Sequence, residues 1–456
     1  MKTCSFCALL LAISFAPLHA AAGDTAAAPK INDTTSLSLT LPNGLRALVK
    51  GSMRSAPYSE VLLVVRAGLT ASAPEEQIAR VAAAALTAGR RSPSDPPIRL
   101  ELARLGVTTD CTVGREVVVY RFAVPTVNTL RFLHLLGLLI SRETIPVEQW
   151  ADAIDRDNRA QAVEQADMWL VSNAQLRDLI WTTEADQPRL MQRISTRTAD
   201  RKQLNDFWQR AYAPENIVLS VWGDLDANQL AQSLRQEFSA RPRGPGLAGA
   251  AQSTAPALRQ RGATHCEQVG EAVPAALLVG VGAVIRNDDA FYASQIAVHI
   301  LGASYNSRLQ RRLRENSGVV YTVEAAAVPV GATGTILRVA CQTDQVETTR
   351  AIILAELQRL VREPVGPDEL EYAKAILLSR LKLDAGSMRE EFYRESLQIL
   401  LNRQMRDPAK AEPIIASFTP QTLLRTLRST IRNDTVSTLV LSAHPEPVCE
   451  VAHETP

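Results

Sequence analysis

The feature that most restricts the fold of this chain is a repeat. Arg142-Glu143-Thr-Ile-Pro146-Val-Glu148 opens a helical pattern that runs through Ile154, and Arg362-Glu363-Pro-Val-Gly-Pro367-Asp-Glu369 opens another through Ile376. Proline with an acid just behind it is a helix start. The fixed φ of proline suits the first turn, and the carboxylate faces the positive end of the helix dipole. Each half also opens with an apolar strand pattern, Val61 to Ala67 and Ala275 to Val284, followed by a helix. Two copies of one unit are the economical reading. Strand-like runs such as Glu116 to Val124 and Thr335 to Cys341 alternate with long helical patterns. The expected class is therefore α+β, each half an α/β sandwich of sheet and helices.

Between the copies, residues 240–263 are rich in Gly, Pro, Ala and Arg and have no hydrophobic period, from Ala240-Arg-Pro-Arg-Gly-Pro-Gly to Arg261-Gly262. This segment reads as a linker joining a first domain, 31–239, to a second, 264–456. At the start of the chain, Met1-Lys2, the apolar run Phe6 to Leu18 and Ala20-Ala21-Ala22-Gly23 form the three regions of a secretory signal peptide, residues 1–22. The mature chain is thus expected to be periplasmic or secreted. The longest later apolar stretch, Ala272 to Ile285, is broken by Pro274 and glycines. It falls short of the roughly 18 residues a membrane span needs and reads as a buried strand.

Four cysteines follow the signal segment: Cys111, Cys266, Cys341 and Cys449. None forms a CxxC pair, which argues against a structural zinc site. Cys266 opens the second half and Cys449 closes it, making them the favoured disulfide partners in an oxidising compartment. Lys and Arg total 49 against 48 Asp and Glu, a formal charge of +1. No field exists to gather nucleic acid or anionic membrane, so partners must be recognised by shape and local chemistry.

Three segments carry a resemblance to the pitrilysin/insulinase family, which includes the mitochondrial processing peptidases. The first is Leu41-Pro42-Asn43-Gly44-Leu45-Arg46 with the strand ending Val65-Arg66-Ala67-Gly68. The second is Phe207 to Asn216 running into Val218 to Asp224. The third is Leu301-Gly302 through Asn306-Ser307-Arg308-Leu309, then Leu313-Arg314-Glu315 to Gly318 and Tyr321. The resemblance implies two homologous halves of the mitochondrial processing peptidase-like, metalloenzyme fold.

Active members carry H-x-x-E-H on the helix after the first strand. Two histidines four apart share a helix face and can ligate zinc, with the glutamate as base. Counted from Gly68, those positions are Val81, Ala84 and Ala85, none of them a donor, and the expected further glutamate falls near Arg159 to Ala160. The helix itself retains Ser72 and Glu75 at capping-box spacing and Gly89 as a stop. The histidines beyond the signal segment, His134, His265, His299, His444 and His453, offer no pair at ligand spacing. His299, among Ile296, Val298 and Ile300, reads as a core histidine.

Arg314 and Tyr321 match the arginine and tyrosine with which active members hold the substrate backbone. By themselves they also fit a helix-end arginine and a half-buried strand tyrosine. As donors to a peptide carbonyl they would form a substrate-binding pair. The leading expectation is a non-catalytic, substrate-binding subunit of a secreted heteromeric zinc metallopeptidase. It would have no cofactor of its own and would pair with a homologous subunit that carries the zinc motif and its zinc. The alternative is a structural or peptide-binding scaffold. An autonomous peptidase is disfavoured, since neither a histidine cluster nor another nucleophile motif is present.

Overall fold

The computed structural model describes residues 36–51, 56–69, 76–114, 116–181, 200–244, 258–270, 275–315, 318, 320–330, 334–343 and 345–443. The expected signal peptide, the Ser72–Glu75 cap and Cys449 lie outside them.

The first half runs β1 (Ser36–Thr40), β2 (Arg46–Lys50), β3 (Tyr58–Val65), α1 (Glu76–Ala85), α2 (Ile98–Arg104), β4 (Thr108–Val113), β5 (Val118–Pro125), α3 (Thr129–Ile140), α4 (Val147–Ala166), α5 (Met168–Ile180), α6 (Arg201–Ala211), β6 (Ile217–Trp222) and α7 (Ala227–Phe238). The second runs β7 (Thr264–Gln268), β8 (Ala276–Val284), α8 (Asp288–Val298), β9 (Val320–Val330), β10 (Gly334–Thr343), α9 (Val346–Arg362), α10 (Pro367–Ala385), α11 (Met388–Leu401), α12 (Ala411–Ser417), α13 (Pro420–Thr430) and β11 (Ser437–Ser442). Both expected helix starts are in place: α4 begins directly after Pro146, and α10 begins at Pro367 with Glu369 in its first turn.

The two sheets share one strand order. The first is six-stranded, β1-β2-β6-β3-β5-β4, and the second five-stranded, β7-β11-β8-β10-β9. With the opening strand β1 set aside, both place their strands in the order first, last, second, fourth, third. In both, only the first and last strands pair in parallel. Within the expected stretch, Ala276 to Val284 form β8, a central strand buried along almost its whole length, as its apolar run requires.

One face of the first sheet packs on its own helices α1, α3, α6 and α7 through Leu63, Val65, Phe132, Leu136, Phe207 and Leu234. The opposite face is covered by the other half. Phe392, Leu397 and Leu400 of α11 meet Leu48, Leu62, Val64, Val218 and Trp222. The favour is returned by α5, whose Leu176 and Ile180 lie on Leu278, Leu439 and Leu441. A Cβ at Gly280 of β8 would stand 2.7 Å from Ile180 Cδ1 and 3.0 Å from Leu176 Cδ2, so the absent side chain is what lets α5 lie close. This exchange makes the two halves one compact unit. Of the linker segment, Arg241 is buried with Nη1 donating to Ile140 O (2.7 Å), and Gly262 N donates to Asp434 O (2.8 Å). Residues 245–257 lie outside the description.

Candidate functional site

The helix to which the resemblance assigns the metal motif is α1, and the three assigned positions are apolar. Val81 and Ala85 are 0% exposed and Ala84 is partly buried, all packed in the first-half core. None can donate an electron pair, so the expected ligand and base positions do not fit a zinc ion. Among the described residues no group of three or more His, Cys, Asp or Glu could hold a metal ion. The helix stops at Ala85, earlier than Gly89 suggests. Gln149 Nε2 donates to Ala85 O, satisfying a carbonyl that another turn would have used, while Gly89 N is held by Asp152 Oδ2 (2.8 Å). Above α1, Tyr120 of β5 donates to Ala83 O (2.9 Å) and meets the Tyr212 hydroxyl at 2.6 Å.

The partner helix α4 departs from expectation. Arg159 and Ala160 are exposed and do not face α1. The stripe that does carries Asp157 and Glu164, seven residues and so two turns apart. Arg80 serves both: Nε to Asp157 Oδ1 at 2.8 Å, and Nη2 to Glu164 Oε1 at 3.0 Å. Burial by itself would lower the Arg80 pKa, but the Asp157 charge and the Glu164 hydrogen bond outweigh it and raise it, so the guanidinium is fully charged. Two carboxylates at spacing seven on a helix were readable in the sequence. Their arginine, on another helix, was not.

Beside α1 lies β4, the end strand of its sheet, with Thr108 to Thr112 exposed and Cys111 a free thiol. Its outer edge pairs with no described strand. An edge of this kind offers backbone donors and acceptors to an extended chain.

In the second half, the segment after α8 is wound wide, with π-helical turns at His299–Ala303 and Gln310–Glu315. His299 is buried as expected. Its Nδ1 has no hydrogen-bond partner among the described residues, and burial, followed by the Arg380 charge, lowers its pKa. Gly302 packs against β9, where an added Cβ would sit 2.9 Å from Ala325 Cβ, which favours the packing role for Leu301-Gly302.

Asn306 to Leu309 is the anchor of the next turn. Arg308, 8% exposed, makes a two-pronged pair with Glu369 of α10, Nε to Oε1 and Nη2 to Oε2, both 2.7 Å. Glu356 of α9, 1% exposed, holds Arg312 and lies 3.5 Å from Arg308 Nη1. Arg314 follows at the end of this clamped turn, exposed, its carbonyl accepting from Gly318 N at 3.2 Å. Gly318 takes φ +62°, which ends the helix and lets the chain enter β9, where Tyr321 is the second residue. The Tyr321 side chain lies outside the described residues. Arginine at a helix end and tyrosine in a strand are thus placed as the sequence suggests, whereas the roles of Glu356 and Glu369 were not foreseen. Cys266 is disulfide-bonded.

Residues 198–377 match the family model described as "Peptidase M16 inactive domain". Among curated proteins, the chain is 26% identical over 249 residues to an uncharacterized zinc protease of Streptomyces coelicolor, covering 52% of this chain and 51% of that protein. It is 22% identical over 293 residues to the probable zinc protease PqqL of Escherichia coli, covering 61% of this chain and 31% of that protein. An uncharacterized zinc protease of Rickettsia bellii is 23% identical over 351 residues, 75% and 82% of the two chains. The matches thus span about half, or less, of the Streptomyces and Escherichia relatives. The fold is shared with the crystal structure of a peptidase M16 inactive domain from Pseudomonas fluorescens (TM-score 0.74, 17% identity, 90% and 98% covered). It is also shared with the periplasmic protease PqqL of Escherichia coli (TM-score 0.69, 17% identity, 92% and 48% covered).

Proposed function

We propose that this chain, similar over residues 198–377 to the peptidase M16 inactive domain and resembling the pitrilysin/insulinase zinc peptidases, is a non-catalytic, substrate-binding subunit acting beside a homologous subunit that carries the zinc motif. The observation that carries this reading is the aliphatic set Val81, Ala84 and Ala85 on α1, inside a fold shared with solved M16 structures. Zinc belongs to the partner. Arg314 and Tyr321 supply donors to a carbonyl of an extended peptide, and the β4 edge supplies main-chain pairing, which implies weak side-chain specificity. PqqL of Escherichia coli is a periplasmic protease. Together with the Cys266 disulfide and the Met1–Ala22 signal pattern, this supports a periplasmic or secreted location.

The test begins with isolation of the mature protein from its native envelope and identification of a copurifying subunit with an intact H-x-x-E-H. Peptide cleavage by the reconstituted pair is then compared with that of Arg314→Ala and Tyr321→Phe. Loss of one transition-state donor costs roughly 3 kcal/mol, so each variant should lower turnover about a hundredfold without dissolving the complex. Wild-type turnover from both variants in an intact complex would leave the scaffold reading in its place.

A further inference from the structure

Helices α1 and α4 face each other, with the Arg80 guanidinium between them. We propose that Arg80 is the permanent cation of the α1–α4 junction: its guanidinium balances the carboxylates of α4 and ties the two helices, which leaves this face of the fold closed to zinc. The donor set that a metal would need is absent from α1, because Val81, Ala84 and Ala85 line the core. The acidic face of α4 persists, with Asp157 and Glu164 two turns apart. One planar, forked group can reach both, and Arg80, the residue directly before Val81, does so at 2.8 and 3.0 Å.

Burial makes the arrangement consequential. The Asp157 side chain is 4% exposed, and its second oxygen accepts from Gln161 Nε2 at 2.6 Å. A carboxylate so enclosed is strongly unfavourable without its cation. The other ionisable groups at the junction do not replace Arg80. Arg156 is engaged with Asp152 at 3.0 Å and turned toward Thr87 O, and Cys111 on β4 carries a free thiol.

The experiment compares wild type, Arg80→Met, Arg80→Met/Asp157→Asn and Arg80→Lys by thermal melting at pH 8 and pH 5. A calorimetric zinc titration of the wild type accompanies the melts. Arg80→Met is expected to lower the melting temperature by about 5 °C at pH 8. The penalty comes from leaving the buried Asp157 carboxylate without its cation. The double variant should recover most of the loss, Arg80→Lys should retain part of the stability, and the titration should find no zinc site. Equal melting of wild type and Arg80→Met at both pH values would overturn the proposal. So would a double variant no better than the single, which makes Arg80 a packing residue. A chelatable zinc at one per chain whose removal lowers the wild-type melting temperature would do the same.

Discussion

Replacing Phe392 by alanine probes the exchange that joins the halves. Phe392 is 5% exposed on α11, with its ring 5.0 Å from Trp222 on the first sheet. Burial of roughly 150 Å² of aromatic surface at about 25 cal/mol per Å² is worth about 4 kcal/mol. Measured Phe-to-Ala losses of about 3–5 kcal/mol in cores agree. Arg389 of this helix and Arg403, two residues past its end, also make ion pairs to the first half: Arg389–Glu60 at 2.6 Å and Arg403–Glu116 at 3.0 Å, with arginine side chains 46% and 40% exposed. Exposed pairs contribute about 0–1 kcal/mol each and are screened by salt. Chemical denaturation should therefore show Phe392→Ala losing about 4 kcal/mol at any salt concentration. The Arg389→Ala/Arg403→Ala double variant should lose about 1 kcal/mol, and that loss should vanish near 1 M salt. A small effect of Phe392→Ala beside a large, salt-sensitive effect of the arginine pair would refute the argument that apolar burial holds α11 in place.

Two further outcomes follow from the packing and the ion pairs. Gly223→Ala should cost about 1–3 kcal/mol by overpacking, because its Cβ would stand 2.8 Å from the Cβ of buried Ser59 and 3.0 Å from its Cα; urea denaturation measures it. Burial alone would raise the Glu369 pKa, but hydrogen bonds and charge from Arg308 outweigh it and hold it below 4.5. The stability advantage of wild type over Glu369→Gln should then be full above pH 4.5 and fade as pH falls through the lower folded value, as read by melting across pH 3 to 7.

The sequence by itself determined what depends on neighbours along the chain. Pro146-Val-Glu148 and Pro367-Asp-Glu369 specify helix starts through backbone geometry and dipole, so the repeat and the α+β class were legible. The continuous apolar run from Ala275 announced a doubly buried strand. The loss of metal donors at Val81, Ala84 and Ala85 needed only the residue types.

What only the tertiary structure decided are pairings across large separations. Nothing in the local pattern of α5 or α11 says that each covers the other half's sheet, since an amphipathic face records that it will be buried and not against what. Arg80 finds Asp157 and Glu164, and Arg308 finds Glu369, only after sheet register and helix packing have set which side chains meet. The physical reason is one of range. Helix starts and strand periodicity are fixed by interactions within a few residues, whereas the choice of a buried charge's partner depends on the whole fold bringing charged atoms of two distant helices within 3 Å.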